Sequence, residues 1–187
     1  GGVVLGNGTD GNTAYDTQNS GDPRRQPTAN KGVINISNKS LIKSKGYDIN
    51  ATWGKVTCTD SDFISSGTAC VFVKVGGQLA FTNSRGINTS ARDTATVFYS
   101  DTYKSSASLS VKSGYYSGNY IARRGVKDTY MCRIYIYSGC YSRTNKVSTK
   151  VGWKGTTTNL SGHFDTLDTP VSEYIDGNNY TFNYIVQ

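Results

Sequence analysis

Short runs of alternating apolar and polar residues, punctuated by Gly, Ser, Asn and Asp, limit the folds open to this chain more than any other feature. After a strand-like Val3-Val4-Leu5, such runs fall at 32–36, 47–58, 69–75, 78–82, 94–99, 107–112, 119–123, 129–137, 146–153, 162–167 and 179–186. Between them lie turn signals: Gly76-Gly77, Ser84-Arg85-Gly86, Ser113-Gly114, Ser117-Gly118-Asn119, Ser138-Gly139 and Asp176-Gly177-Asn178. The alternation has period two. Cys132, Ile134 and Ile136 share one side of their run, and Arg133, Tyr135 and Tyr137 share the other. Val71, Val73 and Val75 oppose Phe72 and Lys74, and Ala107, Leu109 and Val111 alternate with serines. This spacing predicts an all-β sandwich or barrel built of antiparallel sheets with one wet face. No period of 20–50 residues is evident, which argues against a propeller or solenoid.

Composition agrees on the class. The 187 residues hold one Glu and one Met against 15 Asn, 43 Ser plus Thr and 21 Gly. Good helix formers are therefore scarce, which excludes a helical bundle and an α/β enzyme built on long helices. No run of 18 apolar residues occurs, so no helical membrane span is expected. The length suits one domain, 1–187, with 1–31 as a loop-rich N-terminal segment carrying Arg24-Arg25.

The net charge of +7 is concentrated. Residues 102–154 carry ten Lys and Arg against Asp128 alone, a local +9, while 1–101 sum to +2 and 155–187 to −4. The basic stretch also contains eight of the 14 tyrosines. Arg can grip a carboxylate or sulfate with two parallel hydrogen bonds, and Tyr offers a flat apolar face with a polar tip. The candidate ligand-binding residues are therefore Arg123, Arg124, Arg133, Tyr115, Tyr116, Tyr120, Tyr135 and Tyr137. This pairing of Arg with Tyr suits sialylated or sulfated glycans, acidic protein patches or nucleic acid. The rival site is a neutral-sugar site elsewhere, built from loop Asp and Asn. Solubility alone could also account for the charge.

Four cysteines, Cys58, Cys70, Cys132 and Cys140, allow three pairings. Two local bridges, 58–70 and 132–140, are the simplest expectation, each worth roughly 2–3 kcal/mol by chain entropy. They imply an oxidising compartment, hence an extracellular or cell-surface protein and little contact with nucleic acid. CxxC pairs are absent, so neither a metal site nor a redox motif is expected. Seven Asn-x-Ser/Thr sequons stand at Asn7, Asn35, Asn38, Asn50, Asn88, Asn159 and Asn179.

Catalytic patterns are thin. His163 is the lone histidine, in Ser161-Gly162-His163-Phe164-Asp165, without a G-x-S-x-G elbow. Asp60-Ser61-Asp62 and the pair Asp165 and Asp168 could ligate Ca²⁺ but read as turn aspartates. No phosphate-binding glycine motif is present. No enzyme activity, metal or cofactor is expected.

A Ser/Thr/Asn/Gly-rich all-β domain that begins without Met and stops just after the strand-like 180–186 leads one to expect an excised module. In overall character it resembles the N-terminal lectin domain of a two-domain chaperone–usher fimbrial tip adhesin. That resemblance implies an elongated antiparallel immunoglobulin-like β-sandwich of about ten strands. It also implies a site without catalysis for a host-surface glycan or glycoprotein, an anionic one included, and contact with pilus subunits through a C-terminal domain not in this chain. The alternatives are a viral spike or fibre-head domain, or another secreted assembly sandwich, and a secreted β-scaffold hydrolase.

Overall fold

In the computed structural model nearly all strand pairing is parallel and links distant residues. Val33 pairs with Lys55, Lys55 with Gln78, Gln78 with Ser108 and Ser108 with Arg133, giving steps of 22, 23, 30 and 25 residues. The structure describes residues 3–5, 33–51, 54–73, 77–100, 107–125, 132–143, 146–147, 151–156 and 159–187, without the side chains of 3–5 and 132. The loop expected over 6–31 and the sequon at Asn7 lie outside the described residues.

The strands stack into three sheets. Sheet A holds β1 (Val3–Leu5), β4 (Ile49–Ala51), β7 (Ala69–Val73), β10 (Thr96–Ser100) and β13 (Tyr120–Arg124), in that order. Sheet B holds β2 (Val33–Ile36), β5 (Lys55–Thr59), β8 (Gln78–Thr82), β11 (Ala107–Val111), β14 (Cys132–Ile136) and β16 (Gly152–Trp153). Sheet C holds β3 (Leu41–Ser44), β6 (Asp62–Ser65), β9 (Ser84–Asn88), β12 (Gly114–Ser117) and β15 (Gly139–Tyr141). The antiparallel hairpin β17 (Asp165–Ile175) and β18 (Asn178–Val186) joins sheet C at β15.

The chain visits the sheets in turn, so the fold is a β-solenoid of about four turns. The expected antiparallel immunoglobulin-like sandwich is corrected, and so is the reading that no repeat exists. The physical reason lies at the corners. Asp60 and Ser61 alone join β5 to β6, and Asn83 alone joins β8 to β9. About two loop residues suffice for a hairpin, yet β5 and β6 do not pair with each other; each pairs with a strand of the next turn. Here Asp60 (φ 49°) and Asn83 (φ 48°) adopt left-handed backbone and swing the chain onto the next face instead. Asn and Asp tolerate that conformation better than other non-glycine residues. Period-two alternation looks the same in parallel and antiparallel neighbours, so it could not distinguish the two.

Inward side chains form columns along the axis. One is Ile34, Val56, Leu79, Leu109 and Ile134; another is Ile36, Cys58, Phe81, Val111, Ile136 and Trp153. Phe63, Phe81, Phe98 and Tyr116 meet at the centre with ring centroids 5.1–6.2 Å apart. Gly86 lies between Phe63 and Tyr116 in register, where a Cβ would fall 2.2 Å from the Phe63 ring.

The thiols of Cys58, Cys70 and Cys140 are free. The expected 58–70 bridge does not form because Cys58 belongs to sheet B and Cys70 to sheet A, with β6 of sheet C between them in the chain. Cys132 and Cys140 likewise belong to sheets B and C; the Cys132 side chain lies outside the described residues. Burial pushes the Cys58 thiol up to about 11. Among the described residues, no helix is long and apolar enough to cross a membrane.

Candidate functional site

The solenoid presents three outer faces of different character. That of sheet C is covered. The hairpin folds back across it, burying Ile64 and Ile87 beneath Ile175 and Phe182. Its tip reaches the first turn, where Asp176 accepts a 2.6 Å hydrogen bond from Lys43. Midway, Arg85 donates two hydrogen bonds to Asp62 (2.7 and 2.6 Å) and one to Glu173 of β17 (3.1 Å).

The face of sheet A carries an aromatic stack along the axis. Tyr47 stacks on Phe72 (4.7 Å), Phe72 on Tyr99 (5.1 Å), and the Arg123 guanidinium sits 4.7 Å from the Tyr99 ring. Arg123 and Lys146 each lie 5.8 Å from the Tyr120 ring. The stack uses its ring faces internally, so Phe72 and Tyr99 cannot offer both faces to a sugar.

The face of sheet B is open. Its outward positions follow the register: Val33, Lys55, Gln78, Ser108 and Arg133 in one column, and Asn35, Thr57, Ala80, Ser110 and Tyr135 in the next. A third column runs from Thr59 through Thr82 to Lys112 and Tyr137. The Lys112 ammonium lies 3.3 Å from the Tyr137 ring centroid, an intimate cation–π contact. Lys154 follows β16 at the end of the face, 4.9 Å from the Trp153 ring. Lys55, Lys112, Arg133 and Lys154 are exposed, and none has a carboxylate partner among the described residues. No outward position of the described sheet B strands is acidic. Neighbouring strands stand about 4.8 Å apart, so Lys55 and Arg133 mark a track about 14 Å long.

The eight candidate residues are therefore divided. Arg133, Tyr135 and Tyr137 come together on sheet B, as their alternation indicated. Tyr120, Arg123 and Arg124 belong to β13 on sheet A. Tyr115 faces outward on sheet C but packs beneath the hairpin, 5.3 Å from Phe182. Tyr116 points into the core, fully buried, its hydroxyl donating to the Ser113 carbonyl at 2.8 Å. Sequence reasoning passed over Lys55, Lys112 and Lys154 as ligand residues. Two of them lie in the basic stretch, but only the parallel register shows that they share a face with Arg133.

Three of the residues weighed for catalysis or Ca²⁺ make other contacts. His163 lies flat on Trp153, rings 3.9 Å apart and 4° from parallel. Both Asp62 oxygens accept from Arg85, and Asp60 accepts from Asn83 Nδ2 at 2.5 Å. Among the described residues no group of three or more His, Cys, Asp or Glu side chains is placed to hold a metal ion. No family model matches the chain, and neither a curated protein nor a solved structure gives a match.

Proposed function

We propose that this protein binds an anionic polysaccharide, without altering it, along the open face of sheet B. The observation that carries the reading is four exposed cations with no acid among them on one extended face. A linear polyanion can follow that face along the axis and meet Lys55, Lys112, Arg133 and Lys154 in succession. The Ser, Thr and Asn between the cations supply hydrogen bonds to sugar hydroxyls. Arg133 supplies the planar fork for a carboxylate or sulfate. Single-stranded nucleic acid fits less well, because it needs open aromatic faces for its bases. The Tyr137 face is already taken by Lys112, and Tyr135 packs on the backbone at Gly152. The reading keeps the binding role without catalysis expected from sequence, leaves out the fimbrial sandwich, and does not rest on an oxidising compartment, since the Cys58, Cys70 and Cys140 thiols are free.

The test is retention on immobilised heparin, alginate, dextran and single-stranded DNA at low and high salt. The proposal expects retention on the first two, elution as salt approaches about 0.5 M, and no salt-sensitive retention on dextran. Binding to dextran alone, or tighter binding to DNA than to either acidic glycan, would overturn it.

A further inference from the structure

A groove lies at the corner between sheets B and C, bordering the open basic face beside Thr59 and Thr82. It is a shallow, solvent-open groove of about 650 Å³. Its floor is the register column Asp62, Arg85 and Tyr115, running along the axis through three turns. One wall is the corner itself, where Lys39, Asp60 and Asn83 all hold left-handed backbone (φ 60°, 49° and 48°). Glu173 of the hairpin forms the other wall. One wall comes from the first half of the sequence and the other from the C-terminal hairpin, and Arg85 fastens them, bonding Asp62 on one side and Glu173 on the other.

The bonding already present shows what remains for a ligand. Arg85 spends most of its donors on Asp62, Glu173 and the Tyr174 carbonyl. Asp60 uses only Oδ1, on Asn83, leaving Oδ2 as an acceptor. The Lys39 ammonium has no partner among the described residues. The groove thus offers a free cationic donor, a free carboxylate acceptor and amide groups of both kinds. A simple anion would meet three carboxylates at Asp60, Asp62 and Glu173. A simple cation would meet Lys39 and Arg85. Vicinal hydroxyls, which donate and accept together, suit both sets without a charge of their own.

We propose that this groove is a separate site for a neutral sugar residue or comparable polyol, with Lys39 and Asp60 as its principal hydrogen-bonding residues. It does not rest on the sheet B reading, since the two sites share no residue and differ in electrostatics. Salt should leave polyol binding unchanged, because no net ligand charge is screened.

The experiment is a ¹⁵N–¹H NMR titration of the full chain with glucose, galactose, mannose and N-acetylglucosamine, with sodium sulfate and calcium chloride as ionic probes. The proposal expects at least one sugar to shift the Asn38, Lys39, Asp60 and Asn83 amides saturably, with the same affinity at low and high salt. Lys39→Asn and Asp60→Asn keep a residue type that accepts left-handed backbone. Each should weaken binding about tenfold, the loss of one charge-assisted hydrogen bond, with the remaining amide spectrum unchanged. Arg133→Gln should leave it intact. No shift with any sugar, shifts that survive both groove variants, or stronger saturation by sulfate or calcium would overturn the proposal.

Discussion

Gly86→Ala should loosen the centre of the solenoid. The added Cβ would fall 2.2 and 2.5 Å from two Phe63 ring carbons and 3.0 Å from Tyr116 Cδ1. Carbon atoms rest at about 3.5–4.0 Å, so the Phe63 ring must retreat by roughly 1.3 Å. It has little room to do so, with Phe81 at 5.3 Å, Phe98 at 6.0 Å and Tyr116 at 6.2 Å. Overpacking of this kind costs about 1–3 kcal/mol, and a shift this large belongs at the upper end. Removing a glycine from the unfolded chain returns about 0.4–1 kcal/mol. The net expectation is a loss of about 2 kcal/mol, or a Tm fall of roughly 4–8 °C for a chain of this size. Urea unfolding followed by fluorescence, with thermal circular dichroism alongside, measures it. Phe63→Leu in the same background should restore part of the loss, because the smaller side chain vacates the clash. Unchanged stability in Gly86→Ala, or strictly additive effects in the double variant, would refute the placement of Gly86 between the two rings.

Two further outcomes follow from buried titratable groups. Asp48 is fully buried, and neither carboxylate oxygen meets a donor in good geometry. Burial, only partly offset by Ser44 and the Cys70 thiol, pushes its carboxyl up to about 7 from an ordinary 3.8. The folded protein therefore holds this proton while the unfolded chain releases it, so stability falls as pH rises from about 4 to 7. Asp48→Asn should stabilise the protein by up to about 4 kcal/mol at pH 8. The advantage should vanish near pH 4, as read by denaturant unfolding across pH; a pH-independent difference would contradict it. Cys58 and Cys70 are buried thiols held above their ordinary range. Neither should react with a thiol reagent at pH 8 until denaturant is added, which mass spectrometry of alkylated peptides will show.

The sequence was informative strand by strand and silent about how the strands stack. The runs at 78–82 and 107–112 match β8 and β11 closely, and their apolar positions Leu79, Phe81, Leu109 and Val111 are core. Sheet C was the sheet missed. Ser84-Arg85-Gly86, Ser113-Gly114 and Ser138-Gly139 read as turns, yet they enter β9, β12 and β15. Glycine stands in these strands for packing reasons. Gly86 makes room for Phe63, and Gly114 and Gly139 (φ 136° and 139°) lie close to the hydroxyls of Tyr116 and Tyr141. The repeat was hidden because one step widens to 30 residues and outward positions change identity at every turn, from Val33 to Lys55 to Gln78 to Ser108 to Arg133. The site was half legible for the same reason. Alternation set Arg133, Tyr135 and Tyr137 on one side of β14, but joining them to Lys55 and Lys112 needs contacts across whole turns of chain. The adjacent pair Tyr115 and Tyr116 shows the limit most plainly, one outward under the hairpin and the other inside the core.

The central claim is that one face, rather than net charge, binds the polyanion, and a charge-matched comparison tests it most directly. One variant carries Lys112→Gln, Arg133→Gln and Lys154→Gln on sheet B. Its control carries Lys45→Gln, Arg92→Gln and Arg143→Gln, three exposed cations at the corner between sheets C and A. Each loses three charges, so bulk electrostatics change alike. Heparin affinity at about 0.1 M salt should fall at least tenfold in the first variant, since three lost contacts of about 0.5 kcal/mol each sum to one decade. The control should stay within about threefold of the parent protein. Equal losses in the two variants would contradict the account.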